Sequence, residues 1–206
     1  ALRNYILQSE NSDEKLQRYI HPQVLPLIQK AILEGRYSLP ARYEDLVLLE
    51  ARRSRASYLE NLQDFTEGLH NKWLEAASQR TWEEAREIIK SKRYSYARLD
   101  RMAAYSLLDI SKDLFQEAKY KGPTYARLLA FNDRGRQWLR KQDAQVPIIK
   151  KWAPFYKEAQ GLTKESLRLD ALATDIQALS FANPDHRQGH TDYTYSPVFV
   201  RDEMES

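Results

Sequence analysis

The sequence predicts a mainly α protein, in which a helical lobe over residues 1–120 precedes a small α/β lobe over residues 121–206. Two observations lead to this prediction. Apolar residues recur at helical spacing, between capping residues and Pro or Gly, through most of the first 120 residues. Two short apolar runs then follow, at residues 125–131 and 146–149, with a short polar helical segment between them. The second lobe is therefore expected to hold a short two- or three-stranded sheet.

Each helix of the first lobe is predicted from an apolar face and from residues that can begin or end it. Ser12 can cap the first helix, and Gly35 can end the second. Thr81 and Glu84 have the spacing of a capping box, in which a hydroxyl and a carboxylate bind each other's free amides. The predicted helices cover residues 13–19, 24–33, 40–53 (or as far as 60), 69–77, 81–89, 94 onward and 112–119.

The second lobe is predicted from a change of pattern after Gly122-Pro123. Residues 125–131 and 146–149 are expected to form a parallel pair of strands, joined by a short helix over 136–141. Residues 197–200 can form a third, edge strand. Between the second and third strands, Thr163 can cap a long helix. The face of that helix expected to turn inward holds Leu169, Leu172, Ile176 and Leu179.

Composition excludes several classes of protein and site. There is no cysteine, which excludes disulfides and thiolate zinc sites and fits a reducing, cytoplasmic location. Apolar residues make up 42% of the chain, enough for a core, but no apolar run approaches the length of a membrane span. The first residues lack the layout of a secretory signal.

Positive charge is concentrated in the middle of the chain. Residues 90–151 hold 15 Lys and Arg against 6 Asp and Glu, a net charge of +9. Residues 1–89 hold 12 against 14, and residues 152–206 hold 5 against 9. A segment of this kind attracts a polyanion, with a strength that falls as salt rises.

The densest basic stretch, residues 90–101, predicts an RNA-contacting helix. On a helix, Tyr94, Arg98, Arg101 and Tyr105 share one face, while Leu99, Ala103 and Ser106 face inward. Guanidinium groups bind phosphate oxygens in pairs, and tyrosine rings stack on unpaired bases. A solvated helix whose arginines pair with acids elsewhere explains the same stretch equally well.

A second candidate contact lies where the predicted strand 125–131 meets the next helix. Asn132, Gly135 and the arginines at 134 and 136 would present amides and guanidinium groups together, which suits a phosphate or a flipped base. A plain strand-to-helix turn, with Gly135 needed for its backbone, is the alternative.

Catalytic patterns are missing from the sequence. His186 and His190 are four apart but lie in a loop without a third ligand, so no metal site is predicted. Asp170 and Asp175 are five apart and fall on different helix faces. There is no phosphate-binding Gly-rich loop and no nucleophile elbow. We therefore predict no catalytic residue within this chain.

Several segments resemble, in order, those of the bacterial tRNA(Met) cytidine acetate ligases. Residues 92–101 resemble the family's KRYT…RL.R segment, and residues 125–135 its YARVLGFN..G segment. Lys150 stands where the family's P-I-I-T-K segment has threonine. Further matches are Leu169–Asp175, Asp192-Tyr193 and Ser196-Pro197.

The resemblance implies an ATP-dependent ligase that acetylates N4 of the wobble cytidine of elongator tRNA(Met) through acetyl-adenylate. Family members are roughly twice as long, and their N-terminal half is a nucleotidyltransferase fold with a HIGH motif, a sequence that does not occur here. We therefore expect this chain to be the C-terminal half, inactive alone. Only Arg3, at the end of an ATP-binding stretch, would touch ATP, whose site would lie mostly outside the chain.

The expected partners are tRNA, the chain's own N-terminal half and a homo-oligomer. The predicted RNA contacts are Lys90, Lys92, Arg93, Tyr94, Tyr96, Arg98, Arg101, Arg127, Asn132, Arg134, Arg136 and Lys150. The alternative is a structural or dimerisation domain without RNA contact. RNA binding requires Arg98, Arg101, Arg134 and Arg136 to form one exposed basic face, whereas a packing role predicts acidic partners such as Glu83, Glu84, Asp109 or Asp113.

Overall fold

Helices form most of the protein in the computed structural model, which describes residues 18–141 and 143–201. The predicted mainly α class is confirmed. The helix expected over residues 13–19 lies outside the described residues except for its last two. The helices before the first described strand are α1 (Leu25–Leu33), α2 (Pro40–Arg53), α3 (Ala56–Asn61), α4 (Leu69–Ala76), α5 (Trp82–Ile89), α6 (Tyr96–Leu108) and α7 (Lys112–Lys121).

Side-chain caps begin three of these helices. Ser95 caps α6 and Ser111 caps α7, each accepting a hydrogen bond from the amide three residues later. Thr81 Oγ1 accepts from the Glu84 amide at 3.1 Å, as the predicted capping box requires. The Glu84 carboxylate also accepts from the Arg80 amide at 3.2 Å, so the cap extends one residue upstream of the predicted pair.

The main core lies where α2, α4, α5 and α6 meet. An aromatic row of Phe65, Trp73 and Trp82 runs through it, with ring centroids 5.0 and 4.8 Å apart. Leu99 and Met102 enter from α6 and are fully buried. This core holds α5 and α6 in place, and residues 90–95 connect them.

The strands are shorter than predicted and form two separate pairs. β1 (Ala126–Arg127) lies parallel to β3 (Ile148–Ile149), which confirms the predicted parallel pairing. β2 (Ala130–Phe131) lies parallel to β4 (Val198–Phe199). The single strand expected over 125–131 is wrong because the chain changes partners between Leu128 and Leu129. The amide of Leu128 donates to β3, and the carbonyl of Leu129 accepts from β4.

The long C-terminal helix joins the two parts of the chain. The remaining helices are α8 (Asp133–Lys141), α9 (Trp152–Glu158), α10 (Gly161–Leu179) and the short α11 (Thr191–Thr194). A second core of Ile149, Trp152, Leu167 and Ala171 packs beneath α9 and α10. Because α10 also packs on α2, α6 and α7, the expected order of a helical lobe followed by an α/β lobe is not confirmed.

The inward face predicted for α10 is partly wrong. Leu179 is 49% exposed. The buried positions of α10 include Leu167 and two alanines, Ala171 and Ala178. The helix lies between two groups of elements, so no single apolar stripe describes its buried surface. Within the described residues, no helix is both long and apolar enough to cross a membrane.

Gly35 fixes the close contact between the end of α1 and the segment after α10. Its φ is +65°, its carbonyl accepts from the Asn183 amide at 3.0 Å, and an added Cβ would lie 2.8 Å from Asn183 Cβ. We expect Gly35→Ala to lower the free energy of unfolding by about 3 kcal/mol, through backbone strain and overlap with Asn183. Urea unfolding followed by circular dichroism measures the change.

Gly68→Ala is the matched control. Gly68 has φ +75° but meets no atom closer than 4.0 Å, so the variant carries the backbone penalty alone, about 1 kcal/mol. Equal losses in the two variants would show that contact with Asn183 contributes nothing.

Candidate nucleic-acid interface

The basic segment, residues 90–101, is held rigidly by the helices on either side. Ser91 and Tyr94 close a turn through mutual backbone hydrogen bonds of 3.3 and 3.2 Å. The cap at Ser95 then starts α6, and buried Leu99 anchors its first turns. Cations on this segment therefore project from fixed backbone positions.

Part of its charge is taken up by the loop between α3 and α4. The Arg98 guanidinium donates to the Asp64 carbonyl at 2.9 Å and to Thr66 Oγ1 at 3.0 Å. Arg101 Nε lies 3.8 Å from Asp64 Oδ2. The expectation that both arginines belong to one exposed basic face is wrong for Arg98, which is half-buried against this loop, whereas Arg101 stays 56% exposed.

Tyr94 is 7% exposed, so the expectation that its ring is open for base stacking is wrong. Its hydroxyl donates to Glu67 Oε2 at 3.2 Å, and the Arg98 guanidinium covers the ring at 5.1 Å from the centroid. Arg93 forms an ion pair with the same Glu67 carboxylate.

Tyr96 is half-buried and already surrounded by polar groups. Its hydroxyl donates to Glu87, and its ring faces Lys90 Nζ at 4.4 Å and Arg86 at 5.3 Å. These cation–π contacts leave Lys90 exposed at the end of α5, where it can still reach a phosphate.

Arg127 and Asn132 have roles within the fold. Arg127 forms an ion pair with Asp192, whose side chain is 9% exposed, and its guanidinium lies 4.7 Å from the Trp152 ring and 5.1 Å from that of Tyr195. Asn132 Oδ1 accepts from the Gly135 amide at 2.9 Å and so caps α8.

Four other predicted contacts are exposed and, within the described residues, have no carboxylate partner. They are Lys92, Arg134, Arg136 and Lys150. Sequence reasoning missed two further cations of the same kind, Arg140 and Lys141, at the end of α8. A helix predicted from residue 133, where it begins in the structure, would have indicated them. Arg140 is then one turn after Arg136, and Lys141 is two turns after Arg134.

A cleft of about 860 Å³ opens beside the basic segment, between α2, α5, α6 and α10. Apolar residues such as Leu107 and Ile176 form much of its wall, and Arg86 donates to Asp100 Oδ1 at 2.8 Å on its rim. Burial raises the pKa of the Glu44 carboxyl there, while the nearby Arg86 charge opposes the rise. No local sequence pattern indicates this cleft, because its wall comes from four helices.

The described residues hold no group of three His, Asp or Glu side chains that could bind a metal ion. His190 instead lies beside Asp175, whose Oδ1 accepts from the His190 amide at 2.7 Å.

Three known proteins similar to this chain share one name. A tRNA(Met) cytidine acetate ligase from Thermotoga maritima is 28% identical over 99% of this chain and 51% of its own length. Proteins of the same name from Syntrophomonas wolfei and a Thermoanaerobacter species are 32% and 34% identical over 90% and 89% of the chain. The chain thus spans about half the length of these relatives.

Solved structures show the same fold. Thermotoga maritima TmcAL in its apo form superposes with a TM-score of 0.87 over 98% of this chain and 50% of its own, at 24% identity. TmcAL bound with alpha-thio ATP superposes with a TM-score of 0.82 over 89% of this chain and 47% of its own, at 25% identity.

A family model also matches most of the chain, and it corrects the expectations of an absent nucleotidyltransferase half and of an ATP site outside the chain. The HIGH Nucleotidyl Transferase model matches residues 1–192. The expectation of an absent nucleotidyltransferase half is therefore contradicted, and assignment to a C-terminal half is not supported. That expectation rested on the missing HIGH sequence and on the greater length of family members, whereas the family model matches most of the chain.

The expectation that the ATP site lies mostly outside the chain is contradicted in the same way, by this match and by the TmcAL structure with alpha-thio ATP. Arg3, expected to touch ATP, lies outside the described residues. The resemblance to tRNA(Met) cytidine acetate ligases is confirmed. The chain belongs to the HIGH nucleotidyl transferase family.

Proposed function

We propose that this chain acts in the ATP-dependent acetylation of a cytidine in tRNA(Met), within a tRNA(Met) cytidine acetate ligase. The observation that carries the proposal is the match to ligases of that name over 89–99% of the chain. Since the chain spans about half of each relative, the reaction is proposed for the protein that contains it.

ATP belongs to this proposal on chemical grounds as well. Acetate is a poor acyl donor because its carboxylate has no good leaving group. Transfer of the adenylyl group from ATP gives acetyl-adenylate and pyrophosphate, and the amine of cytidine can then displace AMP to form the amide. A relative bound with alpha-thio ATP supports a nucleotide in the reaction.

The proposed tRNA contacts of this chain begin with Lys90 and Lys92. Both lie exposed on the turn between α5 and α6, and Lys92 has no carboxylate partner within the described part of the chain. Arg93 and Arg101 are more than half exposed despite their contacts with Glu67 and Asp64. A phosphate can replace the exposed Glu67 carboxylate at Arg93, and can bind Arg101 beside the partly buried Asp64, since ion pairs at the surface contribute little stability.

Binding of tRNA(Met) to the chain tests the proposal. We expect log Kd to change linearly with log salt, and we expect Lys90→Ala/Lys92→Ala to weaken binding about tenfold at low salt. The slope should fall by about 1.5, because each lost phosphate contact removes about 0.7–0.9. Fluorescence anisotropy with labelled tRNA, measured over a series of salt concentrations, gives both values.

The matched control removes the same charge elsewhere. Lys72 and Lys157 are exposed cations in the two segments that carry net negative charge, so Lys72→Ala/Lys157→Ala should leave the slope unchanged. If both double variants lose affinity equally, net charge alone explains binding, and the turn between α5 and α6 is not a tRNA contact.

A further inference from the structure

α8 is an exposed helix with an unusual combination of side chains. None of its residues is fully buried, and Trp138 is 60% exposed. Asp133 is its one acid, at the first turn, and four cations follow: Arg134, Arg136, Arg140 and Lys141. Within the described residues none of these four cations has a carboxylate partner.

One side of α8 packs against the rest of the protein. Gly135 faces β2, where an added Cβ would lie at ordinary contact distance, 3.5 Å, from Phe131 Cβ, and Leu139, four residues on, is half-buried. The face beside this contact lies in solvent. Arg134, Trp138 and Lys141 lie there at i, i+4 and i+7, spread over about 10 Å of helix axis.

This arrangement is what the basic segment at 90–101 lacks. There, one tyrosine ring is buried and the other is covered by Lys90. On α8 an open indole ring lies between two free cations. An aromatic ring offers stacking to an unpaired base of any sequence, and flanking cations bind the phosphates on either side.

We propose that α8 binds an unpaired stretch of RNA, with a base stacked on Trp138 and phosphates bound by Arg134 and Lys141. The inference deepens the proposed function and rests on it, since the RNA is taken to be an unpaired part of the tRNA substrate. Base stacking distinguishes this surface from a general polyanion site, because a polyanion needs only the cations.

The test uses oligouridylate and the same strand annealed to oligoadenylate. We expect Trp138→Leu to weaken binding of single-stranded oligouridylate about tenfold and to leave duplex binding unchanged. Trp138→Phe should retain most of the affinity, since it keeps an aromatic face. Both variants should fold like the native chain, because the side chain is exposed; circular dichroism checks this.

Tryptophan fluorescence provides a second readout. The three other tryptophans, Trp73, Trp82 and Trp152, are at most 3% exposed, so quenching by a stacked base can come from Trp138. Oligouridylate should quench the native chain and have no such effect on Trp138→Leu.

Three results would overturn the inference: equal oligouridylate binding by the native chain and Trp138→Leu, an equal loss of duplex binding, or polyglutamate binding as tight as oligouridylate. Failure here is distinguishable from failure of the proposed function. In that second case Lys90→Ala/Lys92→Ala weakens tRNA(Met) binding no more than Lys72→Ala/Lys157→Ala does, whether or not Trp138→Leu changes oligouridylate binding.

Discussion

Trp73→Ala is expected to lower the free energy of unfolding by about 4 kcal/mol. Trp73 is 1% exposed and stands between Phe65 and Trp82 in the aromatic row. Truncation removes the largest buried side chain of the core and leaves a cavity that two rigid rings cannot fill. No hydrogen bond donated by Nε1 is lost, since within the described residues this group has no acceptor. Chemical unfolding followed by circular dichroism measures the loss.

Trp138→Ala is the control for this measurement. It removes the same side chain from an exposed site, so we expect a change within about 0.5 kcal/mol. A loss in Trp73→Ala as small as that in the control would mean that the aromatic row does not hold α4 against α5.

The helices could be predicted from the sequence because their signals are local. α1 ends before Gly35, α2 begins at Pro40, and the Thr81 cap begins α5, each as expected. A cap or a break is decided by residues within one turn, so one chain is enough to predict it.

The strands could be predicted only in part, because their partners are distant in sequence. The apolar run 125–131 predicts extended chain, but its division depends on β3 on one side and β4 on the other. A strand of two residues has no alternation of its own, and nothing local indicates where the partners change.

The candidate interface shows the same limit. Helical spacing brings Arg98 and Arg101 to one face, but Asp64, which binds both, lies more than 30 residues earlier. The charge count of the central segment is a property of composition, whereas the free or paired state of each cation depends on the fold. Nothing in the sequence marks Trp138 as exposed, because an apolar residue in a predicted helix is ordinarily expected in the core.

Arg127 and Asp192 form the ion pair with the largest expected effect. Their side chains are 21% and 9% exposed, and the pair joins β1 to α11 across 65 residues of sequence. We expect Asp192→Ala to lower the free energy of unfolding by about 3 kcal/mol, because it leaves the Arg127 charge partly buried without its counter-ion.

Replacing both partners at once separates this charge penalty from packing. Arg127→Met/Asp192→Leu removes both charges and keeps apolar volume, so it should be more stable than Asp192→Ala alone. Within the described residues Asp192 Oδ2 accepts no hydrogen bond, so the pair itself incompletely offsets its own desolvation. If the double variant is less stable than Asp192→Ala, attraction between the two charges stabilises the fold. The loss in Asp192→Ala then does not come from leaving the Arg127 charge unpaired. Urea unfolding of the native chain and both variants decides between the two, and the ranking should change little with salt, since attraction within a pair this buried is screened only weakly.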